Sequence, residues 1–214
     1  MKPEYSKDTF IRELTERNEP SITGKLQTAT IGIAGCGGLG SNVAAALTRI
    51  AVKKLIIVDF DTVLLSNLNR QFFFVDDIGK SKAESLGANL KRINPFIEIE
   101  MHIKKIDAEN LWELFSNADI IVEAFDNAEQ KAMLLNAFLE DEKFASKYLV
   151  CASGLAGFDS SNSIKTFKFC DRVFIAGDFT SESCEKGVMA PRVWIASAHQ
   201  ANMVVRIIAG IYEP

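Results

Sequence analysis

Histidine is scarce in this 214-residue sequence, and the cysteines are few and scattered. The two histidines, His102 and His199, stand far apart, so they favour neither a histidine-based catalytic group nor a metal site. The four cysteines, at positions 36, 151, 170 and 184, form no C-x-x-C pair, so nothing here resembles a zinc ribbon. A reducing cell would keep all four as thiols.

Long apolar runs and an excess of positive charge are also lacking. No run approaches the roughly 18 residues of a membrane span, and the N-terminus lacks the apolar core of a signal peptide. We therefore expect a cytoplasmic protein that does not contact a membrane. A net charge of −4 and a pI near 5.3 make nucleic acid an improbable partner, because binding it usually needs a basic face.

Short apolar runs alternate with helical patterns along the chain and predict an α/β fold. The expected architecture is Rossmann-like, with a mostly parallel central sheet flanked by helices and an antiparallel extension of the sheet near the C-terminus. Residues 1–25 are expected to form a helical arm, with one helix over about 6–18 and a break over 19–24. Residues 26–214 are expected to form one nucleotide-binding domain. Predicted strands cover 30–34, 54–58, 97–103, 119–123, 148–152, 163–169 and 172–176.

A glycine-rich turn follows the first predicted strand and precedes a helix. Gly35, Gly37 and Gly40 fit the pattern G-x-G-x-x-G, and Gly38 adds another place where the backbone can approach a ligand. Such a strand–turn–helix unit favours phosphate binding at the start of the helix. Tight packing alone also selects glycine here, so the residues downstream decide between the two interpretations.

Asp59 stands at the end of the second predicted strand, where an acidic residue can accept hydrogen bonds from a ribose. Up to this residue, an NAD-binding protein and an adenine-nucleotide enzyme are equally compatible with the sequence. Arg70 and Lys82 follow, and two cations suit a triphosphate that releases pyrophosphate. Taken singly, each of the two cations could equally be an ordinary charge on the solvated surface.

Asp126 follows the fourth predicted strand, so we expect it at the same sheet edge as the glycine turn. A carboxylate at this edge can hold Mg²⁺ that bridges phosphates. Capping of the next helix is the alternative, and the two roles are compatible.

Together these stretches resemble the ThiF/MoeB/HesA family of adenylyltransferases, which are related to ubiquitin-activating enzymes. The matching stretches cover about residues 30–130 and include the glycine turn, Asp59 to Asp61, Ser66 to Gln71, Gly79 to Lys82, Arg92 to Pro95, and Phe125 to Asn127.

The resemblance implies a role for each matching residue. Asp59 would bind the ribose, with Asp61 beside it in the nucleotide site. Asn67, Arg70 and Lys82 would contact the phosphates of ATP, and Asp126 would hold the magnesium ion. An arginine of the N-terminal arm, Arg12 in preference to Arg17, would reach the nucleotide of the partner subunit in a homodimer, although both also fit a solvated helix charge.

Among the cysteines, one feature resembles that family and another departs from it. Cys184 lies in a polar loop that resembles the cysteine-bearing loop of ThiF-like members, where it would join the carrier through sulfur; an inert surface thiol is the alternative. The C-x-x-C pairs that bind zinc in many relatives are missing, so no zinc is expected.

The sequence therefore predicts ATP-dependent adenylation of the C-terminal glycine of a small ubiquitin-like sulfur carrier ending in Gly-Gly. The carrier is expected to be ThiS-like, in thiamine biosynthesis. The alternatives are another carrier, a tRNA base, a NAD-dependent oxidoreductase and a non-catalytic nucleotide-binding subunit.

Overall fold

A seven-stranded sheet forms the centre of the protein in the computed structural model, which describes residues 5–181 and 186–214. The strands are β1 (Thr30–Ala34), β2 (Lys54–Val58), β3 (Glu98–His102), β4 (Ile120–Glu123), β5 (Tyr148–Ala152), β6 (Lys165–Cys170) and β7 (Val173–Gly177). Their order in the sheet is β3-β2-β1-β4-β5-β7-β6. Within the described ranges only β6 runs antiparallel to its neighbour, β7, which confirms the predicted Rossmann-like sheet and its C-terminal extension.

Helices connect the strands and cover both faces of the sheet. They are α1 (Lys7–Thr15), α2 (Pro20–Leu26), α3 (Gly38–Arg49), α4 (Lys82–Ile93), α5 (Leu111–Phe115), α6 (Ala128–Glu140) and α7 (Ala190–Ala209). Short 3₁₀ turns lie at Leu65–Asn69, Val75–Asp77, Glu142–Phe144 and Ser161–Ser163. Ser81 caps α4, because its hydroxyl accepts the backbone N–H of Glu84 at 3.3 Å. No helix in the described part of the chain is both long and apolar enough to cross a membrane.

The N-terminal segment differs from its prediction within the expected break over 19–24, because residues 20–24 are helical. Pro20 occupies the first turn of α2, where proline starts a helix because its missing N–H needs no partner. Ile22 and Leu26 then stand four residues apart on one face and are buried in the main core. Lys25 Nζ donates to the carbonyl of Ala209 at 3.0 Å and so ties α2 to the end of α7. The domain boundary after residue 25 stays a prediction.

The core has two layers, one on each face of the sheet. Alternate residues of β2 show the division: Leu55 and Ile57 pack towards α3 and α4, whereas Ile56 and Val58 pack towards α5 and α6. All four side chains are fully buried. A parallel strand covered on both faces therefore reads as a continuous apolar run in the sequence.

The parallel sheet opens between β4 and β5, which are neighbours in the strand order. Pairing of β4 with β5 ends at Val122 and Val150, one residue before β4 itself ends. Gln200 of α7 bridges the divergence, because its Nε2 donates to the carbonyls of Glu123 at 2.9 Å and Val150 at 3.2 Å. The carboxyl ends of β4 and β5 are thereby joined by a side chain instead of by backbone pairing.

Candidate active site

A cleft of about 810 Å³ opens at the edge where β1, β2, β4 and β5 end. Residues that follow each of these strands line it: Gly35 after β1, Asp59 after β2, Asp126 after β4 and Ser153 after β5. Ligands of open α/β sheets bind at this place, outside the carboxyl ends of the strands where the strand order reverses. The volume lies in the range of small-molecule sites.

The glycine turn forms one wall of the cleft. Gly35 has a φ of 98°, a left-handed conformation that side chains other than hydrogen rarely allow. A Cβ on Gly40 would lie 1.9 Å from the carbonyl oxygen of Gly35, so the start of α3 can pack against the turn only without one. Gly35, Gly37 and Gly38 line the cleft, whereas Gly40 supports the turn from behind. The positive end of α3 consequently lies at the cleft.

Asp59 braces this turn from the end of β2. One carboxylate oxygen accepts the backbone N–H of Cys36 at 2.6 Å, and the other accepts the N–H of Asp61 at 2.8 Å. Burial raises the pKa of Asp59 above its ordinary value, while the two backbone N–H groups oppose that rise. Burial also raises the pKa of Cys36 well above its ordinary value, so its thiol stays neutral and packs as part of the loop.

Two cations, Arg70 and Lys82, line the cleft near Asp59. Lys82 is 7% exposed, and its Nζ donates to Asp61 Oδ2 at 2.8 Å. Within the described ranges its other two N–H groups have no acceptor. Arg70 Nη1 donates to Asn69 Oδ1 at 2.8 Å, and Nε and Nη2 have no partner among the described residues. Both cations therefore keep donors for an anion in the cleft.

Lys131 lines the cleft where β4 and β5 diverge, and it pairs with Glu123, a buried residue that does not itself line the cleft. Lys131 Nζ donates to the two carboxylate oxygens of Glu123 at 2.9 and 3.0 Å and to the carbonyl of Ala152 at 2.8 Å. Glu123 Oε1 also accepts the backbone N–H of Phe125 at 2.7 Å. The exposed Asp126 comes next in the chain and lines the cleft.

Gln71 lines the cleft and carries an acceptor without a partner. The residue is 8% exposed, and its Oε1 is buried with no hydrogen-bond partner among the described residues. Buried acceptors in folded proteins are nearly always paired, so this oxygen is an exception beside the cleft.

The structure brings most of the predicted site residues together at this cleft, but not all of them. Asn67 lies outside the lining, and its Oδ1 accepts the N–H of Leu64 at 2.9 Å, which holds the 3₁₀ turn before Arg70. Arg12 is exposed on α1, away from the cleft, and pairs with Glu13 at 3.0 Å. Cys184 lies outside the described residues. Residues that line the cleft as predicted are Gly35, Gly37, Gly38, Asp59, Asp61, Arg70, Lys82 and Asp126.

Sequence reasoning missed the pair formed by Glu123 and Lys131. The two residues are eight positions apart, one at the end of a strand and the other in the second turn of a helix, so no local spacing rule joins them. The sequence offered one signal of this pair: the carboxylate of Glu123 ends an otherwise apolar run. A charge buried at the end of a strand requires a partner.

Comparison with known proteins adds to this geometry. The ThiF family pattern matches residues 6–214. The molybdopterin-synthase adenylyltransferase of Escherichia coli is 30% identical over 192 residues, which cover 88% of this chain and 76% of that protein. The SAMP-activating enzyme E1 of Haloferax volcanii is 34% identical over 116 residues, and the match spans 54% of this chain but only 43% of that enzyme.

Solved structures support the same fold. The E. coli tRNA N6-threonylcarbamoyladenosine dehydratase TcdA, solved with ATP, superposes with a TM-score of 0.81 over 94% of this chain and 93% of its own, at 18% identity. At that identity the likeness shows the fold alone. The chain therefore belongs to the ThiF family, and the E. coli relative that it matches along most of its length is an adenylyltransferase.

Proposed function

We propose that this protein adenylates the C-terminal glycine carboxylate of a small ubiquitin-fold sulfur carrier at the expense of ATP. The observation that carries the proposal is one cleft lined by the glycine turn, by Arg70 and Lys82, and by Asp126. Names of the relatives point the same way, since one is an adenylyltransferase for molybdopterin synthase and another is an activating enzyme. The finer assignment is a ThiS-like carrier ending in Gly-Gly, in thiamine biosynthesis.

ATP fits the polar groups of the cleft. The N–H groups at the start of α3 and the free donors of Arg70 and Lys82 would bind the phosphates. Each oxygen of Asp59 accepts one backbone N–H and keeps a second lone pair, which a ribose hydroxyl could use. Asn67 would support the turn that carries Arg70.

Magnesium fits Asp126. The described residues contain no group of three or more histidine, cysteine, aspartate and glutamate side chains that could enclose a metal ion. Mg²⁺ needs no such cage, because it binds through one or two carboxylates together with substrate phosphates and water. At this site the ion would neutralise phosphate charge.

Adenylation needs positioning and charge stabilisation rather than a protein nucleophile. A carboxylate oxygen of the carrier's last glycine attacks the α-phosphorus of ATP, and the bond from that phosphorus to the pyrophosphate oxygen breaks. The products are the acyl-adenylate and pyrophosphate. Arg70 and Lys82 would stabilise the charge that gathers on the leaving pyrophosphate.

Three further assignments belong to this proposal. The protein would act as a homodimer in which Arg12 of one subunit reaches the nucleotide of the other. The Cys184 thiolate would attack the acyl carbon of the acyl-adenylate, so that a thioester to the carrier forms as the bond to the phosphate oxygen breaks and AMP leaves.

ATP–pyrophosphate exchange tests the proposal directly. We expect exchange when the protein, Mg²⁺ and a ThiS-like carrier are combined, and none when the carrier's C-terminal carboxylate is blocked as an amide. A panel that includes a molybdopterin-synthase type carrier identifies the partner. Absence of exchange with every carrier contradicts the proposal; exchange that requires tRNA favours the tRNA alternative, and tight binding of NADH rather than ATP favours the oxidoreductase.

Asp126→Ala sharpens the same test. Removing the proposed magnesium ligand should abolish exchange, while stability should change by less than about 0.5 kcal/mol because the side chain is exposed. Glu129→Ala is the matched control, since Glu129 is an exposed carboxylate one turn away that does not line the cleft. Exchange retained by Asp126→Ala would remove the metal role.

A further inference from the structure

Lys131 lies in the wall of the cleft, but its ammonium group is already satisfied by Glu123, which does not line the cleft, and by a backbone carbonyl. An ammonium group has three N–H donors, and those of Lys131 meet two oxygens of Glu123 and the carbonyl of Ala152. Lys131 therefore has no donor left for a phosphate. Its side chain is 24% exposed and that of Glu123 only 1%, so the pair is largely withdrawn from solvent.

The same pair joins two strands that no longer pair with each other. Backbone pairing of β4 with β5 ends at Val122 and Val150. Beyond that point Lys131 connects the side chain at the end of β4 to the last carbonyl of β5. The two strand ends are thus joined by the contacts of Lys131 in addition to those of Gln200.

Glu123 passes this constraint to the turn that carries Asp126. Its Oε1 accepts the N–H of Phe125 at 2.7 Å, and Phe125 immediately precedes Asp126. The Asn127 side chain then accepts the N–H groups of Glu129 and Gln130 at the start of α6. Asp126 is consequently fixed on both sides while its own carboxylate stays exposed.

We infer that Lys131 is a positioning residue for the magnesium-holding carboxylate: through Glu123 and Ala152 it sets the place of Asp126 at the cleft. This inference rests on the proposed function. Groups that orient a metal-binding side chain typically change metal affinity about 10- to 100-fold when they are removed.

Calorimetric titration of ATP, with Mg²⁺ and separately with a chelator, tests the inference. Lys131→Met should weaken binding of MgATP about tenfold and leave binding of metal-free ATP nearly unchanged, because the phosphate donors Arg70 and Lys82 lie elsewhere. Lys131→Arg keeps the charge and the donors and should restore MgATP binding. Lys143→Met is the matched control, since Lys143 is an exposed lysine outside the cleft.

A double change separates positioning from a purely structural effect. If Lys131 acts through Asp126, Lys131→Met placed on Asp126→Ala should add almost nothing to the loss of MgATP binding, whereas independent effects would add. Should Lys131→Met fail to fold, Lys131→Gln, a neutral side chain shorter by one bond, replaces it with the same expected shift.

Two results overturn the inference: equal loss of ATP binding with and without Mg²⁺, or no loss in either condition. Failure of the proposed function looks different, because wild-type protein would then show no ATP–pyrophosphate exchange with any carrier, whatever the MgATP titrations show. If the wild-type protein bound no ATP in either condition, both statements would fall together.

Discussion

Two lysines line the same cleft, and their pairs with carboxylates are built differently. Lys82 follows β2 and meets one oxygen of Asp61, whose side chain is 49% exposed. Lys131 follows β4 and meets Glu123, whose side chain is 1% exposed, together with a backbone carbonyl. The first pair keeps two ammonium N–H groups without an acceptor among the described residues, and the second keeps none.

The difference teaches how to separate a ligand-binding lysine from a supporting one. Charge sign, position at the sheet edge and membership of the lining are the same for both residues. What differs is the number of donors already used and the exposure of the partner carboxylate. A half-exposed carboxylate can be hydrated when its lysine turns to a phosphate, whereas a buried one cannot lose its partner without a large penalty.

The largest expected effect is on stability. Lys131→Met should lower the free energy of unfolding by about 3–5 kcal/mol, because it leaves Glu123 buried and uncompensated. Lys82→Met should cost less than about 1 kcal/mol, since solvent reaches Asp61. Urea denaturation of both variants, with Lys143→Met as reference, measures the contrast. Equal losses of unfolding free energy in the two variants would contradict the difference drawn between the two pairs.

The second expected effect is on catalysis, where Lys82→Met should lose more activity than Lys131→Met, the reverse of their order in stability. Lys82→Met should slow ATP–pyrophosphate exchange by about 100-fold or more, near 3 kcal/mol of transition-state stabilisation, because it removes donors aimed at the leaving pyrophosphate. Raising the Mg²⁺ concentration should not rescue Lys82→Met, but it should restore most of the exchange of Lys131→Met. Rescue of both variants by Mg²⁺ would show that they share one role.

The sequence allowed one of these lysines to be predicted and not the other. Lys82 follows a capping serine inside a stretch that the ThiF family shares. Both the family motif and the predicted start of the helix therefore indicated Lys82. Lys131 acquires its partners only when β4, α6 and β5 have come together, and its third partner is a backbone carbonyl that has no sequence signature.

The same distinction holds for the fold. Apolar runs such as 54–58 predicted the strands, because parallel strands buried on both faces carry no polar interruption. Residues 19–24 were predicted as a break, since proline and glycine stand there. Burial of Ile22 and Leu26 against the core outweighed that local signal, and only the packed structure shows it.

A third lysine–carboxylate pair, far from the cleft, extends the comparison to a pair that is expected to contribute little stability. Lys54 Nζ lies 2.6 Å from Glu100 Oε2 on neighbouring strands, and the Glu100 side chain is 37% exposed. The hydrogen bond from Lys54, followed by that from His102, holds the pKa of Glu100 below its ordinary value of 4.5. Such a pair stabilises the fold above the unfolded-state pKa, and the contribution is lost as the pH falls through the folded-state pKa.

Glu100→Gln should therefore destabilise the protein by less than about 1 kcal/mol at pH 7, because the pair is more than a third exposed at its carboxylate. The difference from wild type should shrink as the pH is lowered below 4.5, the ordinary pKa of the group, because wild-type Glu100 then becomes protonated as well. Urea denaturation across this pH range measures it, with Glu98→Gln on the same exposed strand as control. A difference that grows towards acid pH would contradict the sign of the pKa shift. A loss at pH 7 as large as that of Lys131→Met would show that exposure of the carboxylate does not rank these pairs.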